Sequence, residues 1–350
     1  MSPDYFHRIT TETSTRVWIN NPTSEETRMA IAAGAISGTT NPSYCSKLLQ
    51  REPGYIRPLI QRAAREIDNV DTAADIIYQK VTKRFMDAFL PLYAESAGTQ
   101  GFVTMQDNPN RDENPELIVE AALRHGNLGP NYMAKVPATE SGMKAIEYLI
   151  GRGIPVCATE CFSLSQAIAV CELHRKTSKV TGRFPPFFLT HITGIFDEEI
   201  KSRVVAEGID VDPELVARAG CIVARRIYKV VKSRGYGITL LGGGARGTKH
   251  FTEFVGGDFH ITLNWDTMKE LINSNQPVIA RIDAWDPQED IEELRKKLNV
   301  FAQAYCEDGL KAEEFKGFAP LQRFRNSFIK GWSDLCQAIE SSRGPRARGS

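Results

Sequence analysis

Short apolar runs rich in β-branched and aromatic residues alternate along the chain with longer stretches whose apolar residues recur every three or four positions. The short runs are RVWIN (16–20), AISGTT (35–40), GFVTMQ (101–106), YMAKVP (132–137), IPVCAT (154–159), PFFLTH (186–191), GITLL (237–241) and DFHITL (258–263). Their brevity and apolar density suit strands covered on both faces, as in a parallel sheet. Helical periodicity fills the gaps. SEETRMAIAAG predicts a helix with Ser24 as its N-cap, an acidic first turn and a stop at Gly34. In SGMKAIEYLIGRG the apolar Met143, Ile146, Leu149 and Ile150 share one face, and SLSQAIAVCELHRK carries a similar stripe. DPELVARAGCIVARRIYKVVKSRG predicts a helix that stops at Gly235.

Strand–helix alternation argues for right-handed βαβ units, and eight of them close into an α/β fold, the (β/α)8 TIM barrel. An open doubly wound sheet competes with it, but no GxGxxG follows the first strand. Residues 44–100 add two or three helices after the second strand, and residues 288–342 add charged helices at the C-terminus. Neither stretch holds a Gly/Ser-rich linker, so both read as decorations on one barrel domain over 1–342, with 343–350 as a disordered tail.

Composition changes this picture little. The 350 residues are 42% hydrophobic and 25% charged, as in a soluble globular chain. Lys+Arg and Asp+Glu balance at 43 each, so there is no global basic field for nucleic acid or an anionic membrane. A local anion site is compatible with that balance. The 7 cysteines are odd in number, and the closest pair, Cys157 and Cys161, has no companions at zinc-finger spacing. Reduced cysteines in a cytoplasmic protein are the expectation. The N-terminus lacks the apolar core of a signal peptide, and no run approaches the roughly 18–20 apolar residues of a membrane span.

Functional groups of a closed parallel barrel gather at the carboxyl ends of its strands. Those ends supply Asn20, Thr39, Thr40, Asn41, Gln106, Lys135, Thr159, Thr190, His191, Gly242 to Arg246, and Asn264. Lys135 stands alone as a cation deep in a strand, and lysine is among the last residues to be buried without a reason. It has two readings. One is a lysine that snorkels to the rim or pairs with a carboxylate. The other is a nucleophile whose ammonium is destabilised by apolar surroundings, leaving neutral amine to attack a ketone and form a Schiff base.

Four phrases bear on this choice: SGTTNPS (37–43), KVPATESGMKAI (135–146), GIPVCATECFSLSQA (153–167) and FHITLNWDTMKEL (259–271). Together, and in this order, they strongly resemble the transaldolase family, which comprises transaldolases and the related fructose-6-phosphate aldolases. The resemblance runs from about residue 16 to 275. It implies a (β/α)8 barrel and Schiff-base chemistry with no metal and no separate cofactor. Lys135 matches the family's Schiff-base lysine. Asn41, beside Thr40, matches the asparagine that contacts the bound three-carbon unit, and Thr159 the threonine that helps hold the catalytic water. The implied reaction is retro-aldol cleavage of a ketose or sugar phosphate to an aldehyde and an enamine of dihydroxyacetone. A transaldolase passes that enamine to an acceptor aldehyde, whereas an aldolase protonates and releases it. Chain length and the long insert resemble transaldolases more than the compact aldolases.

Three positions depart from the family pattern. Asn20 stands where the first strand normally ends in aspartate, and an amide orients a hydroxyl without taking its proton at neutral pH. Asn21, next along, does not restore it. Gln106 replaces the glutamate of a transaldolase third strand, as in the fructose-6-phosphate aldolases. Asp107 follows it, on the other face of a regular strand and inward only if that strand end slips or bulges. Beyond Thr190, Ile192 and Ile195 occupy the places of an aromatic residue and a phosphate-binding arginine. Arg246 matches a second phosphate-binding arginine, and Gly244 and its neighbours in LGGGARGTK offer backbone N–H groups to an anion. A structural glycine turn with a solvated arginine is the competing reading. His191, with an ordinary pKa near ~6.5, is the first candidate to replace the lost acid/base groups. A hydrogen-bonded histidine on the outer layer is its competing reading, and Glu160 and Cys161 rank behind it as substitutes. His7, His125, His174, His250 and His260 show no metal spacing, so no metal site is expected.

The sequence therefore predicts an enzyme of a small-molecule ketose or sugar phosphate and an aldehyde acceptor, with transferase ahead of lyase. A non-catalytic sugar-binding descendant is the alternative. No nucleic-acid or membrane partner is expected, and the charged C-terminal helices offer a surface for a second copy of the chain.

Overall fold

Eight parallel strands, each hydrogen-bonded to the next in chain order and the last to the first, close a barrel in the computed structural model. They are β1 (Arg16–Asn20), β2 (Gly38–Thr39), β3 (Val103–Gln106), β4 (Tyr132–Pro137), β5 (Val156–Cys161), β6 (Phe187–His191), β7 (Thr239–Gly242) and β8 (Phe259–Leu263). With helices between and around them this is a (β/α)8 TIM barrel. The structure describes residues 4–284 and 286–343. The tail expected over 343–350 lies outside the described residues except for Arg343, which donates to the carbonyls of Ile67 and Asp68.

Strand alternation decides what fills the barrel and what faces the helices. Trp18, Ile36, Phe102, Met133, Cys157, Phe188 and Leu241 pack together inside it. Their outward neighbours, such as Val17, Val103, Ala134, Ala158 and Leu240, join the large core shared with the helices. Inward positions one step further along the strands then fall at the carboxyl-end mouth.

Two helix boundaries differ from the periodicity. Thr23, not Ser24, caps the helix Ser24–Ala32: its hydroxyl accepts from the Glu26 N–H at 3.2 Å, and its own N–H donates to Glu26 Oε2 at 2.8 Å. This reciprocal box satisfies two donors, whereas Ser24 is already helical. The helix expected up to Gly235 breaks into Pro213–Val216 and Ala219–Ser233. At the break the Gly220 N–H donates to Asp197 Oδ1 at 2.7 Å instead of to a carbonyl of its own chain turn.

The stretch after β2 forms the helices Tyr44–Arg51, Pro53–Glu66 and Val70–Glu95. Beyond β8 come Gln288–Lys297, Asn299–Tyr305 and a long C-terminal helix, Ala319–Ser342. That last helix lies against all three helices of the insert and against the helix after β6, Thr193–Glu207. It therefore crosses the barrel mouth. Among the described residues, no helix is long and apolar enough to cross a membrane.

Candidate functional site

A cavity of about 460 Å³ opens at the carboxyl ends of the strands. Its floor is Asn20, Thr39, Lys135, Thr190 and Thr262, one residue each from β1, β2, β4, β6 and β8. Asn41, Ser43, Lys47, Ile192, Ile195, Gly244 and Arg246 form its sides. The C-terminal helix roofs it with Arg323, Phe324, Ser327 and Phe328.

Lys135 shares the inward face of β4 with Met133 and is 7% exposed. Among the described residues, the only hydrogen-bond partner of Nζ is the Thr40 carbonyl, at 3.2 Å. The Phe328 ring centroid lies 5.8 Å from Nζ. Burial holds the ammonium's pKa below the ordinary lysine value; Cys157 and Glu160 oppose that, and the Lys47 charge reinforces it. Among the described residues the lysine thus neither snorkels to the rim nor sits in an ion pair.

Around it the polar groups are already oriented. Asn20 Oδ1 accepts from the Thr39 hydroxyl at 3.0 Å, and Thr262 Oγ1 lies 2.8 Å from the same Thr39 oxygen. With its proton committed to Asn20, the Thr39 hydroxyl accepts from Thr262. Thr40, expected at the substrate, turns its hydroxyl outward to Tyr78 (2.6 Å) and the Thr104 carbonyl (2.8 Å). Within β2 itself Gly38 faces the helices, where a Cβ would lie 2.1 Å from the Phe85 ring, and Thr39 faces the cavity. Asn41 Oδ1 accepts from the Ser43 N–H at 3.1 Å, which fixes the turn into the first insert helix. Thr190 Oγ1 lies 3.0 Å from Cys157 Sγ.

His191 does not reach the cavity, which corrects the expectation of a histidine acid/base there. Because Thr190 takes the inward position of β6, His191 is buried in the outer layer against Phe196 and the Gly220 backbone. Burial pushes its pKa down to about 4, so the ring is neutral. Asp107 likewise faces the helices, near His125 and Asp75, with its carboxyl held above the usual range by burial. Those three residues bring ligand-type atoms within 4.8 Å of one another. However, Asp75 is engaged by His125 Nε2 at 2.8 Å and by Arg124 at 3.1 Å, an arrangement that reads as an ion-pair cluster.

Gln106, the register neighbour of Lys135, and Thr159, that of Pro137, are buried and lie off the cavity wall. Gln106 Nε2 donates to Glu160 Oε1 at 2.6 Å. Glu160 is fully buried and has a left-handed backbone, φ 57°. Burial, with Asp112 adding to it, pushes its carboxyl up to about 7.

The glycine-rich turn after β7 is built around Gly244, whose φ of +65° and 2.6 Å Cβ clearance from Ile192 both demand glycine. Arg246 is not a solvated side chain: Nε donates to Glu198 at 2.5 Å and a terminal nitrogen to the Gly244 carbonyl at 3.1 Å. The Arg246 N–H donates to His250 Nδ1 at 2.8 Å, and His250 Nε2 meets Asp197 at 2.7 Å. Accepting on Nδ1 fixes the tautomer that donates from Nε2. Burial, followed by Arg246 and Arg51, lowers the pKa of Lys47. Among the described residues Lys47, Lys135, Arg246 and Arg323 border the cavity. Arg246 is paired with Glu198 on the lining and Arg323 with Glu199 behind it at 2.7 Å, which leaves the two lysines without carboxylate partners and suits an anionic ligand.

Sequence reasoning missed Lys47 and the whole roof. Lys47 lies one helical turn past TTNPS, where spacing marks only an insert helix. Gly331 lets the roof sit close, since a Cβ there would lie 2.3 Å from Ser43 Oγ and 2.6 Å from Ser43 Cα. Gly331→Ala is expected to lift the helix off the site, costing about 1–3 kcal/mol by overpacking despite alanine's better helix propensity. Urea unfolding and a raised KM would register it together.

Comparison with known proteins gives one consistent result. The family model described as Transaldolase/Fructose-6-phosphate aldolase matches residues 17–320. A protein named Transaldolase from Thiobacillus denitrificans is 32% identical over 166 residues, 45% of this chain and 46% of that protein. Transaldolase 2 of Streptomyces coelicolor is 30% identical over 203 residues (55% of this chain, 53% of the relative). Transaldolase 1 of Streptomyces avermitilis is 28% identical over 203 residues (55% and 52%). The chain spans about half the length of the curated relatives it matches.

Proposed function

From the premise that this chain belongs to the transaldolase/fructose-6-phosphate aldolase family, we propose that it cleaves or transfers the dihydroxyacetone unit of a ketose or ketose phosphate through an imine on Lys135. The observation that carries this reading is the buried amine at the cavity floor, with a lowered pKa and, among the described residues, no ion-pair partner. Neutral Nζ adds to the ketone, and the hydroxyl is lost as water. The iminium then withdraws electrons while the carbon–carbon bond breaks, leaving an enamine and an aldehyde. Asn41 and the Asn20–Thr39–Thr262 chain would hold the hydroxyls of the three-carbon unit. Neither metal nor separate cofactor is needed, since the iminium is the electron sink.

Transfer is favoured over simple release by the roof. An enamine kept for an acceptor aldehyde must be shielded from protonation by water, and Phe324 and Phe328 cover the cavity. Gln106, shared with the fructose-6-phosphate aldolases, favours lyase activity instead. Free dihydroxyacetone measured against transfer to an added aldehyde separates the two. A cytoplasmic setting is supported by the seven cysteines, all unpaired.

Borohydride trapping with fructose 6-phosphate, dihydroxyacetone and a small ketose panel tests the reading by intact-mass and peptide mass spectrometry. A reduced adduct on Lys135 is expected. Sugar binding without any adduct would instead mark a binding-only barrel. Arg246→Ala should raise KM for a ketose phosphate roughly ten- to hundredfold, the weight of a charge-assisted contact, with a smaller effect on dihydroxyacetone.

A further inference from the structure

Making an imine needs a group that gives a proton to a leaving hydroxyl and takes it back in hydrolysis. The two mouth positions expected to carry carboxylates hold the amides of Asn20 and Gln106, which do neither. A carboxyl group stands at this end of the barrel on another strand. On β5, Cys157 faces the barrel interior, so regular alternation sends Thr159 inward and Glu160 out to the helices. The β5–β6 register slips between Ala158 and Cys161, and Glu160 takes the left-handed conformation at φ 57°. A bulge sets consecutive side chains on the same face. Glu160 therefore reaches back across β4 to the inward-facing Gln106, at 2.6 Å.

The contact leaves a set of polar atoms without protein partners among the described residues: Gln106 Oε1, Thr159 Oγ1 and Glu160 Oε2, all buried. Lys135 stands close enough to Glu160 for the two charges to act on each other. Gln106 is the register neighbour of Lys135 on β3, and Cys157, two residues before Thr159, is its neighbour on β5. A strained, non-glycine residue whose own side chain and two buried neighbours keep unpartnered polar atoms motivates a functional reading of Glu160.

We propose that Glu160 is the proton donor and acceptor for imine formation and hydrolysis at Lys135, standing in for the carboxylates absent from β1 and β3. The proposal rests on the Schiff-base reading. Lys135 Nζ bonds to the substrate carbonyl carbon, and its proton passes to the oxygen to give the carbinolamine. Glu160 Oε2–H then protonates that hydroxyl, the carbon–oxygen bond breaks, and the nitrogen lone pair forms the iminium. Water leaves toward Gln106 Oε1 and Thr159 Oγ1, and Glu160 is left as carboxylate. Hydrolysis runs the same steps in reverse, with the carboxylate taking a proton from the attacking water.

The surroundings suit a group that must hold both forms. Asp112, in the loop after β3, pushes the carboxyl's pKa up, while Lys135 on β4 and Arg325 on the C-terminal helix pull it down. Arg325 is itself committed to Asp112, with contacts of 2.8 to 3.1 Å. Burial dominates, and the carboxyl titrates at about 7.

The test follows the rate of imine formation on the full chain with dihydroxyacetone, quenched with borohydride and read by intact mass across pH. The reaction needs neutral Lys135 and protonated Glu160 together, so the wild-type profile is expected to bend downward in slope near pH 7, where Glu160 loses its proton. Glu160→Gln should lose that bend and slow by about 10²–10⁴-fold. A variant with the wild-type profile and a rate within about threefold would overturn the proposal. Should Glu160→Gln fail to fold, the wild-type profile decides alone: no bend between about pH 6 and 8 overturns it. Absence of any wild-type adduct would instead remove the Schiff-base reading, and this inference with it.

Discussion

Lys135→Met is expected to abolish the borohydride-trapped adduct and to lower carbon–carbon bond turnover on the order of 10⁴-fold or more, since the covalent route is lost. Methionine is the informative replacement, being unbranched, flexible and apolar. The buried ammonium is disfavoured where it sits and gains one carbonyl contact at 3.2 Å. Removing it should leave stability unchanged or raise it by about 1 kcal/mol, because a desolvated charge is replaced by a side chain the site can bury. Loss of activity with undiminished stability in urea unfolding is the combined expectation. Lys135→Arg should not rescue, because a guanidinium stays protonated and is no nucleophile. Retained turnover in Lys135→Met would remove the imine from the mechanism.

The sequence carried the barrel well because strands buried on both faces must be short and apolar, and all eight stand out between amphipathic helices. Lys135 was legible for the same reason: a cation inside such a run contradicts its surroundings. What stayed hidden depends on which way a residue faces. Thr39 and Thr40, or Thr190 and His191, are indistinguishable as letters at a strand end, yet alternation gives the cavity one of each pair. Glu160 is the opposite case. Its strand reads as regular, and only the bulge between Ala158 and Cys161 turns it toward Gln106. The roof is legible as an amphipathic helix, but nothing local in Arg323 or Phe328 says which surface that helix covers.

Stability against pH should carry the mark of Glu160. Relative to wild type, Glu160→Gln is expected to gain on the order of 2–3 kcal/mol in unfolding free energy at about pH 8 compared with about pH 4. The sign follows from proton counts. Glu160 titrates at about 7 in the folded chain and from its ordinary value of 4.5 in the unfolded one. Between those values the folded state holds the proton and the unfolded state has lost it, so wild-type stability falls as pH rises and levels off above about 7. Glutamine has nothing to lose over that range. His191 and His260 act in the opposite sense: burial lowers both to about 4, so stability present above 6.5 is lost as pH falls through that interval. Both histidines remain in the variant and cancel in the difference. Urea unfolding of the two proteins at the two pH values isolates the carboxyl. A difference independent of pH would mean that Glu160 ionises normally, against the upward shift its burial is expected to impose. The pH-dependent cost is also what the proposed chemistry requires. A carboxyl solvated well enough to be harmless would already be ionised at neutral pH, with no proton to give the carbinolamine.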